Sequence, residues 1–339
     1  MTLFDPSPKS SVKDLYGREN ELRELIKHIT ERRWVVLLGP RRIGKTSLAR
    51  CALSKISAKH VVLDAGEESD LGKALVSSLS RPSRVSGLQV GGGAGPASAS
   101  FGITRDLAQT SLGRLLESAG KTVILIDEAQ WLRNPSGVSR LLAHIYDYHY
   151  DKITLIITGS AVGVMKSILE PSSKSAFYGR AITTMEIQRW EKSTSFGFLK
   201  NGCKESHVKY TDENLFNVVD RLDGMPGWLT LYGYHYALEP SSEKAMKKTI
   251  GEATKILHDE LENVSSSALG WKRKLTILRE LSKGTRRFSD LGSRLGINNT
   301  ALSHNLEMLH RLRYVSKQDD GEYVILDPLV SEYIATQTP

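Results

Sequence analysis

The chain has 339 residues, 40% of them hydrophobic, enough apolar material for two or three cored domains rather than one. Its two cysteines, Cys51 and Cys203, are too far apart in sequence for metal spacing or a disulfide framework, and no apolar run approaches the ~20 residues of a membrane span. The net charge is +8, and Trp271 to Arg313 holds ten Lys/Arg against three Asp/Glu, a surplus of seven that points this part of the chain at an anionic partner, nucleic acid first.

Residues 1–13 show no periodicity and no signal-type apolar core, so they are expected to be loose and the chain cytoplasmic. Leu22, Leu25, Ile26 and Ile29 recur at helical spacing. Val35 to Leu38 reads as a buried strand. It runs into Gly39-Pro40-Arg41-Arg42-Ile43-Gly44-Lys45-Thr46, which fits G-x-x-x-x-G-K-[ST] at every fixed position, and Ser47, Leu48 and Ala49 open a helix. The glycines let backbone N–H groups curl round phosphate oxygens, and the helix N-terminus adds partial positive charge. Lys45 is expected to reach the β- and γ-phosphates and Thr46 to hold Mg²⁺.

His60–Asp64 is a second strand, and Leu71, Ala74, Leu75 and Leu79 mark a helix. Residues 84–103 alternate on both sides of a glycine-rich turn, which suggests a β-hairpin insertion or a flexible loop. A helix over Asp106 to Ala119 precedes Val123–Ile126, four apolar residues that end in Asp127-Glu128. Asp127 is placed to hold Mg²⁺ and Glu128 to act as general base on the attacking water, although Asp-Glu after a strand also suits a helix N-cap. His144 and His149, five apart, are poorly spaced for one helix face and read as packing residues. Ile153–Thr158 is another buried strand. Thr158 or Ser160 at its end is a candidate for the γ-phosphate or the water, or simply a helix cap. A helix over Val162–Leu169 follows, then Arg180 and a strand at Ala181–Ile187; Arg180 is assigned to the ligand side of the sheet, as a phosphoryl-stabilising arginine or a surface one.

Strand signals then stop. Trp190 to Leu238 reads as helices interrupted at Gly224-Met225-Pro226-Gly227, a helical lid. The last part pairs a short helix from Phe288 with a second over Asn299–Arg311, followed by two short strands flanking Asp320-Gly321: helix–turn–helix plus hairpin, a winged helix. Asn299, Thr300, Ser303 and His304 would face a double-stranded DNA groove. Arg286, Arg287, Arg294, Arg311, Arg313 and Lys317 would meet phosphates. The alternative is a winged helix that binds protein. The implied fold is α/β with a parallel sheet. The expected division is an ATPase domain at 1–188, a lid at 189–264 and a winged helix-turn-helix domain at 265–339.

GPRRIGKTS, VILIDEAQ, the upstream LYGRENEL, the GMPGWL segment and the terminal YVILDPLVSEY together resemble the archaeal ATPases within the AAA+/STAND group of P-loop NTPases. The resemblance implies a sheet of order 5-1-4-3-2, ATP hydrolysis with Mg²⁺, and an adenine site formed by Gly17-Arg18 and the Gly-x-Pro at Gly224 to Pro226. The chain lacks an arginine directly after the Thr158 strand end, where some STAND relatives place one, so the γ-phosphate sensor is left between Ser160 and Arg180. The expected whole is an ATP-driven switch that binds ATP or ADP and whose oligomeric state is open.

Overall fold

A computed structural model describes residues 3–80, 105–160, 179–267, 270–284 and 286–336. The hairpin expected at 84–103 and the helix expected at 162–169 lie outside the described residues.

Five parallel strands form the central sheet: β1 (Val35–Leu38), β2 (Lys59–Asp64), β3 (Thr122–Asp127), β4 (Ile153–Gly159) and β5 (Thr183–Glu186). Their spatial order is β2-β3-β4-β1-β5, the 5-1-4-3-2 arrangement expected from the resemblance. Burial follows position in the sheet. Every residue of the central β3 and β4 is buried, whereas the edge strands β2 and β5 expose part of theirs. A strand covered on both faces needs an unbroken apolar run, and Val123–Ile126 and Leu155–Ile157 supply it.

Each face of the sheet has its own core. On one side α3 (Leu71–Leu79), α4 (Arg105–Ser118) and α5 (Pro135–His149) cover Val36, Ile124, Ile126, Leu155 and Ile157. On the other, α1 (Glu19–Thr30) and α2 (Lys45–Leu53) cover Val35, Leu37, Leu125 and Ile156, and this core runs on without a break into the C-terminal half. Local chemistry fixes where helices start. Asp70 and Asn134 each accept a backbone N–H of the first turn of α3 and α5, Thr211 and Asn298 do the same for the helices Asp212–Leu222 and Asn299–Arg311, and Pro135 and Pro226 occupy first-turn positions of α5 and of the helix Pro226–Leu238.

The C-terminal half begins with α6 (Lys192–Glu205), α7 (Asp212–Leu222), α8 (Pro226–Leu238) and the 26-residue α9 (Ser242–Ser267). After Gly270 come α10 (Trp271–Ser282), α11 (Phe288–Leu295) and α12 (Asn299–Arg311). The antiparallel pair β6 (Val315–Lys317) and β7 (Tyr323–Ile325) and a closing helix, α13 (Pro328–Thr336), follow. This is a helix-turn-helix with a wing. α13 packs back on α9 and α10, and both carboxylate oxygens of Asp327 accept the Trp228 indole N–H of α8 at 2.9 Å. Among the described residues no helix is long and apolar enough to cross a membrane.

Residues 3–13 differ from expectation. Phe4 is 2% exposed, its ring edge-on to Phe198 and wedged against Gly202 of α6 and Gly233 of α8. The Lys9 backbone N–H donates to the Ser47 hydroxyl at 3.0 Å. A single aromatic carries no periodicity, so the sequence gives no sign of this anchor.

Candidate nucleotide site

The Gly39–Thr46 loop leaves the carboxyl end of β1, in the middle of the sheet. At Gly39 a side chain has no room: an added Cβ would come within 2.6 Å of the Ile187 carbonyl. Gly44 takes φ +95° just before α2 starts, a conformation that favours glycine. Arg42, at φ 62°, also sits in the left-handed region, and three contacts hold it there: its carbonyl accepts from Gly227 N–H at 2.9 Å, its guanidinium lies over the Trp228 ring at 4.3 Å, and it pairs with Glu260 of α9. Glu260 also binds Arg41 at 3.1 Å, so one carboxylate of α9 clasps two loop arginines. Arg41 lies over the Trp131 ring as well.

Lys45 is buried, and its ammonium donates to the Gly39 and Pro40 carbonyls at 3.0 and 2.7 Å. Desolvation pushes its pKa down to about 8, against the pull of Glu128 and Asp127. The Thr46 hydroxyl donates to Asp127 Oδ1 at 3.0 Å, and the Thr158 hydroxyl donates to the same oxygen. Loop, acidic strand end and the end of β4 therefore converge on Asp127. Glu128 follows in the left-handed region at φ 53°, its backbone N–H donating to Thr158 Oγ1 at 3.0 Å. Its carboxylate accepts from the Gln130 amide, whose oxygen in turn accepts the Ser160 N–H at 3.1 Å. Gln130, in the motif but given no role by the sequence, thus orients both Glu128 and the Ser160 backbone. The Ser47 hydroxyl accepts the Lys9 backbone N–H.

Gly17-Arg18 and Gly224–Pro226 meet through Trp190. The indole N–H donates to the Gly17 carbonyl at 3.1 Å, and the Trp190 backbone N–H donates to the Gly224 carbonyl at 2.9 Å. Arg18 is 4% exposed, and its guanidinium donates to the carbonyls of Ile43 in the phosphate loop and Gln188 beyond β5, at 3.1 and 2.7 Å. It ties the loop to the neighbouring strand. Pro226 is buried at the start of α8. Among these, Trp190 and Glu260 had no sequence signal; each acts across a long chain separation.

Arg180 lies elsewhere. A residue that precedes a parallel strand sits at its amino edge, and the phosphate loop leaves the carboxyl edge. Arg180 accordingly pairs with Asp147 near the end of α5, beside Tyr146, whose hydroxyl donates to the Ala181 carbonyl. The assignment of Arg180 to the ligand side is corrected: within one chain it is at the opposite end of the sheet. Ser160, in contrast, is 5% exposed at the carboxyl end of β4, next to Gln130.

In the winged helix Asn299, Thr300, Ser303 and His304 are all exposed on one side of α12. Arg286, Arg287, Arg294 and Lys283 line a hollow of about 290 Å³, in which Glu322 sits at 3.8 and 3.7 Å from the first two. Arg311 is tied to Glu307 one turn earlier, and Arg313 turns inward to Glu186 at the end of β5 rather than outward.

Strand, glycine-bounded loop, helix, and an acidic strand end one strand removed from the loop define a P-loop NTPase fold with an additional strand between the two motifs. Residues 15–231 match the model of an ATPase domain found predominantly in Archaea, and the chain belongs to that family. Residues 272–317 match the model of bacterial regulatory proteins of the arsR family, a helix-turn-helix module. Among solved structures the chain is similar to a Walker-type ATPase of Pyrococcus abyssi, with 27% identity, TM-score 0.80, and 98% of this chain and 99% of that one covered. It shares the fold of Cdc6p from Pyrobaculum aerophilum (19% identity, TM-score 0.53, coverage 98% and 96%). It also shares that of the Orc1 protein of Aeropyrum pernix solved with DNA (17% identity, TM-score 0.50, coverage 95% and 92%). None of the curated proteins compared with the chain matches it.

Proposed function

We propose that the chain hydrolyses ATP at this site with Mg²⁺, and that the reaction acts as a switch on a winged helix that binds double-stranded DNA. The observation that carries the reading is the convergence of Thr46, Asp127 and Thr158 beside Lys45, with Glu128 held one residue further on. Loop amides and the Lys45 ammonium would hold the phosphates.

The oxygens of Thr46 and Asp127, 3.0 Å apart, suit a hard cation. Among the described residues no three His, Cys, Asp or Glu side chains gather into a metal cage. One hydroxyl and one carboxylate is the donor pattern Mg²⁺ uses when it shares its shell with phosphates and water. When bound, the cation would neutralise charge on the β- and γ-phosphates. Glu128 would take the proton of the attacking water as its oxygen bonds to the γ-phosphorus, and ADP and phosphate leave. Gln130 fixes the Glu128 carboxylate, and Thr158 fixes its backbone.

The basic surplus of the C-terminal part, the exposed α12 residues and the DNA complex of the Orc1 neighbour support DNA as the winged helix's target. The division into ATPase domain (1–188), lid (189–264) and winged helix (265–339) belongs to the same proposal, as do ADP release and the adenine pocket near Trp190.

Two measurements test it. Glu128→Gln should bind ATP and hydrolyse it roughly 10²–10⁴-fold more slowly, whereas Lys45→Ala should lose nucleotide binding. DNA affinity should fall steeply with salt, and charge reversal at Arg286 and Arg287 should flatten the slope. A salt-independent DNA interaction, or an unchanged protein complex after the reversal, would favour a protein-binding winged helix.

A further inference from the structure

Arg313 follows α12 and leads into the wing, yet its side chain is only 14% exposed. Its backbone is left-handed at φ 59°. Its guanidinium pairs with Glu186, and Glu186 is the register partner of Leu38, the residue before Gly39. The Arg313 Nε is buried and has no hydrogen-bond partner among the described residues. An arginine with one nitrogen occupied and another sealed from water without an acceptor is half-satisfied, which is costly for a charged group.

The next residue lies within electrostatic reach of the loop's arginines. Tyr314 is packed on Trp271, and burial pushes its hydroxyl up to about 12, with Arg41, Arg42 and Glu260 all close enough to bear on it. The charges of Arg313 and Arg41 also both oppose protonation of Lys45. Three cations therefore face one region, against the lid carboxylate Glu260 and the strand-end carboxylate Glu186. A polyphosphate placed against Lys45 would supply acceptors for all three cations.

We propose that Arg313 is a phosphate-contacting residue delivered in cis by the winged-helix domain, and that Glu186 parks its guanidinium beside the loop. The inference rests on the nucleotide-site reading above. It supplies the arginine that Arg180, at the other end of the sheet, does not. A guanidinium moving from Glu186 to the γ-phosphate would pull the first residues of the wing with it. ATP and ADP would then hold different positions of α12.

The test uses the full-length protein and fluorescent ATP and ADP analogues. Arg313→Ala should weaken ATP binding about ten- to a hundredfold, as expected for loss of a charge-assisted contact, and ADP binding much less. Arg313→Lys should recover part of the ATP preference. Glu186→Gln leaves the arginine intact and frees it, so ATP should bind more tightly than to wild type. A purely structural ion pair would instead make Glu186→Gln and Arg313→Ala move both nucleotides together and in the same direction, and that result overturns the inference. Lys45→Ala separates the two readings. If wild type binds ATP, Lys45→Ala does not, and Arg313→Ala keeps the wild-type ATP to ADP ratio, the nucleotide site stands and the role of Arg313 falls. If wild type binds neither nucleotide, both fall.

Discussion

Phe4 and Gly233 offer a two-residue cycle whose sign, not only its size, tests the packing argument. A Cβ at Gly233 would lie 2.1 Å from Phe4 Cδ1 and 2.5 Å from Phe4 Cγ. The ring has no escape, because a Cβ at Gly202 on the facing helix would lie 2.2 Å from it. Gly233→Ala should therefore overpack the site at a cost of about 1–3 kcal/mol, less the roughly 1 kcal/mol that alanine contributes in a helix interior. Phe4→Ala empties the wedge, removes the edge-on contact to Phe198, and should cost about 3–5 kcal/mol. In that emptied background Gly233→Ala meets no ring. It should stabilise by about 0.5–1 kcal/mol, a coupling of the kind neighbours show. The assay is reversible urea unfolding followed by tryptophan fluorescence and by far-ultraviolet circular dichroism, with the four proteins compared at equal slope. Gly233→Ala destabilising both backgrounds equally would mean that the ring does not fill this gap, and the N-terminal anchor would lose its basis.

Three further outcomes follow from the site and its surroundings. Desolvation raises the Asp327 pKa above the ordinary carboxylate range, so its stabilising contribution is complete below about pH 3.9 and is lost as pH rises through the folded value. Asp327→Asn keeps an acceptor for Trp228 and cannot ionise; its stability relative to wild type should grow from pH 4 to pH 8 in thermal melts, and a shrinking gap would contradict the argument. With Lys45 held at about 8, affinity for ATP should fall as pH is raised through 8 toward 9.5, and a flat titration would mean that the ammonium does not meet the phosphates. Arg180→Ala should leave hydrolysis within about twofold and cost no more than about 1 kcal/mol, the usual ceiling for an exposed pair. Turnover collapsing at unchanged nucleotide affinity would bring Arg180 back as a residue reaching a neighbouring subunit.

The parts of the molecule legible in the sequence are those whose physics is local. Val123–Ile126 and Ile153–Thr158 announce themselves because central strands, covered twice, cannot alternate. The phosphate loop is legible because glycines and lysine must stand at fixed offsets, and the sheet order followed from the resemblance those motifs carry. The helix start at Pro226 is visible for the same local reason. What stayed hidden depends on distant partners or on direction. Arg180 was assigned to the wrong edge because proximity to a strand says nothing until one asks which end of the strand it adjoins. Gln130 acquires a role only once Glu128 turns left-handed, and Glu260, Trp190 and Phe4 act on segments far along the chain.

Glu260 has a mechanical consequence. It stands near the end of α9, and the first residue of that helix is 18 positions earlier, about 27 Å away at the rise of an α-helix. A tilt of about 5° at the arginine clasp displaces the far end by roughly 2 Å, a distance comparable to the helix shifts that distinguish switch states. α8 lies along α9, so it travels with the rod. Whatever loosens two guanidinium groups from one carboxylate is thereby felt as a swing of neighbouring helices, with the loop as fulcrum and α9 as lever arm.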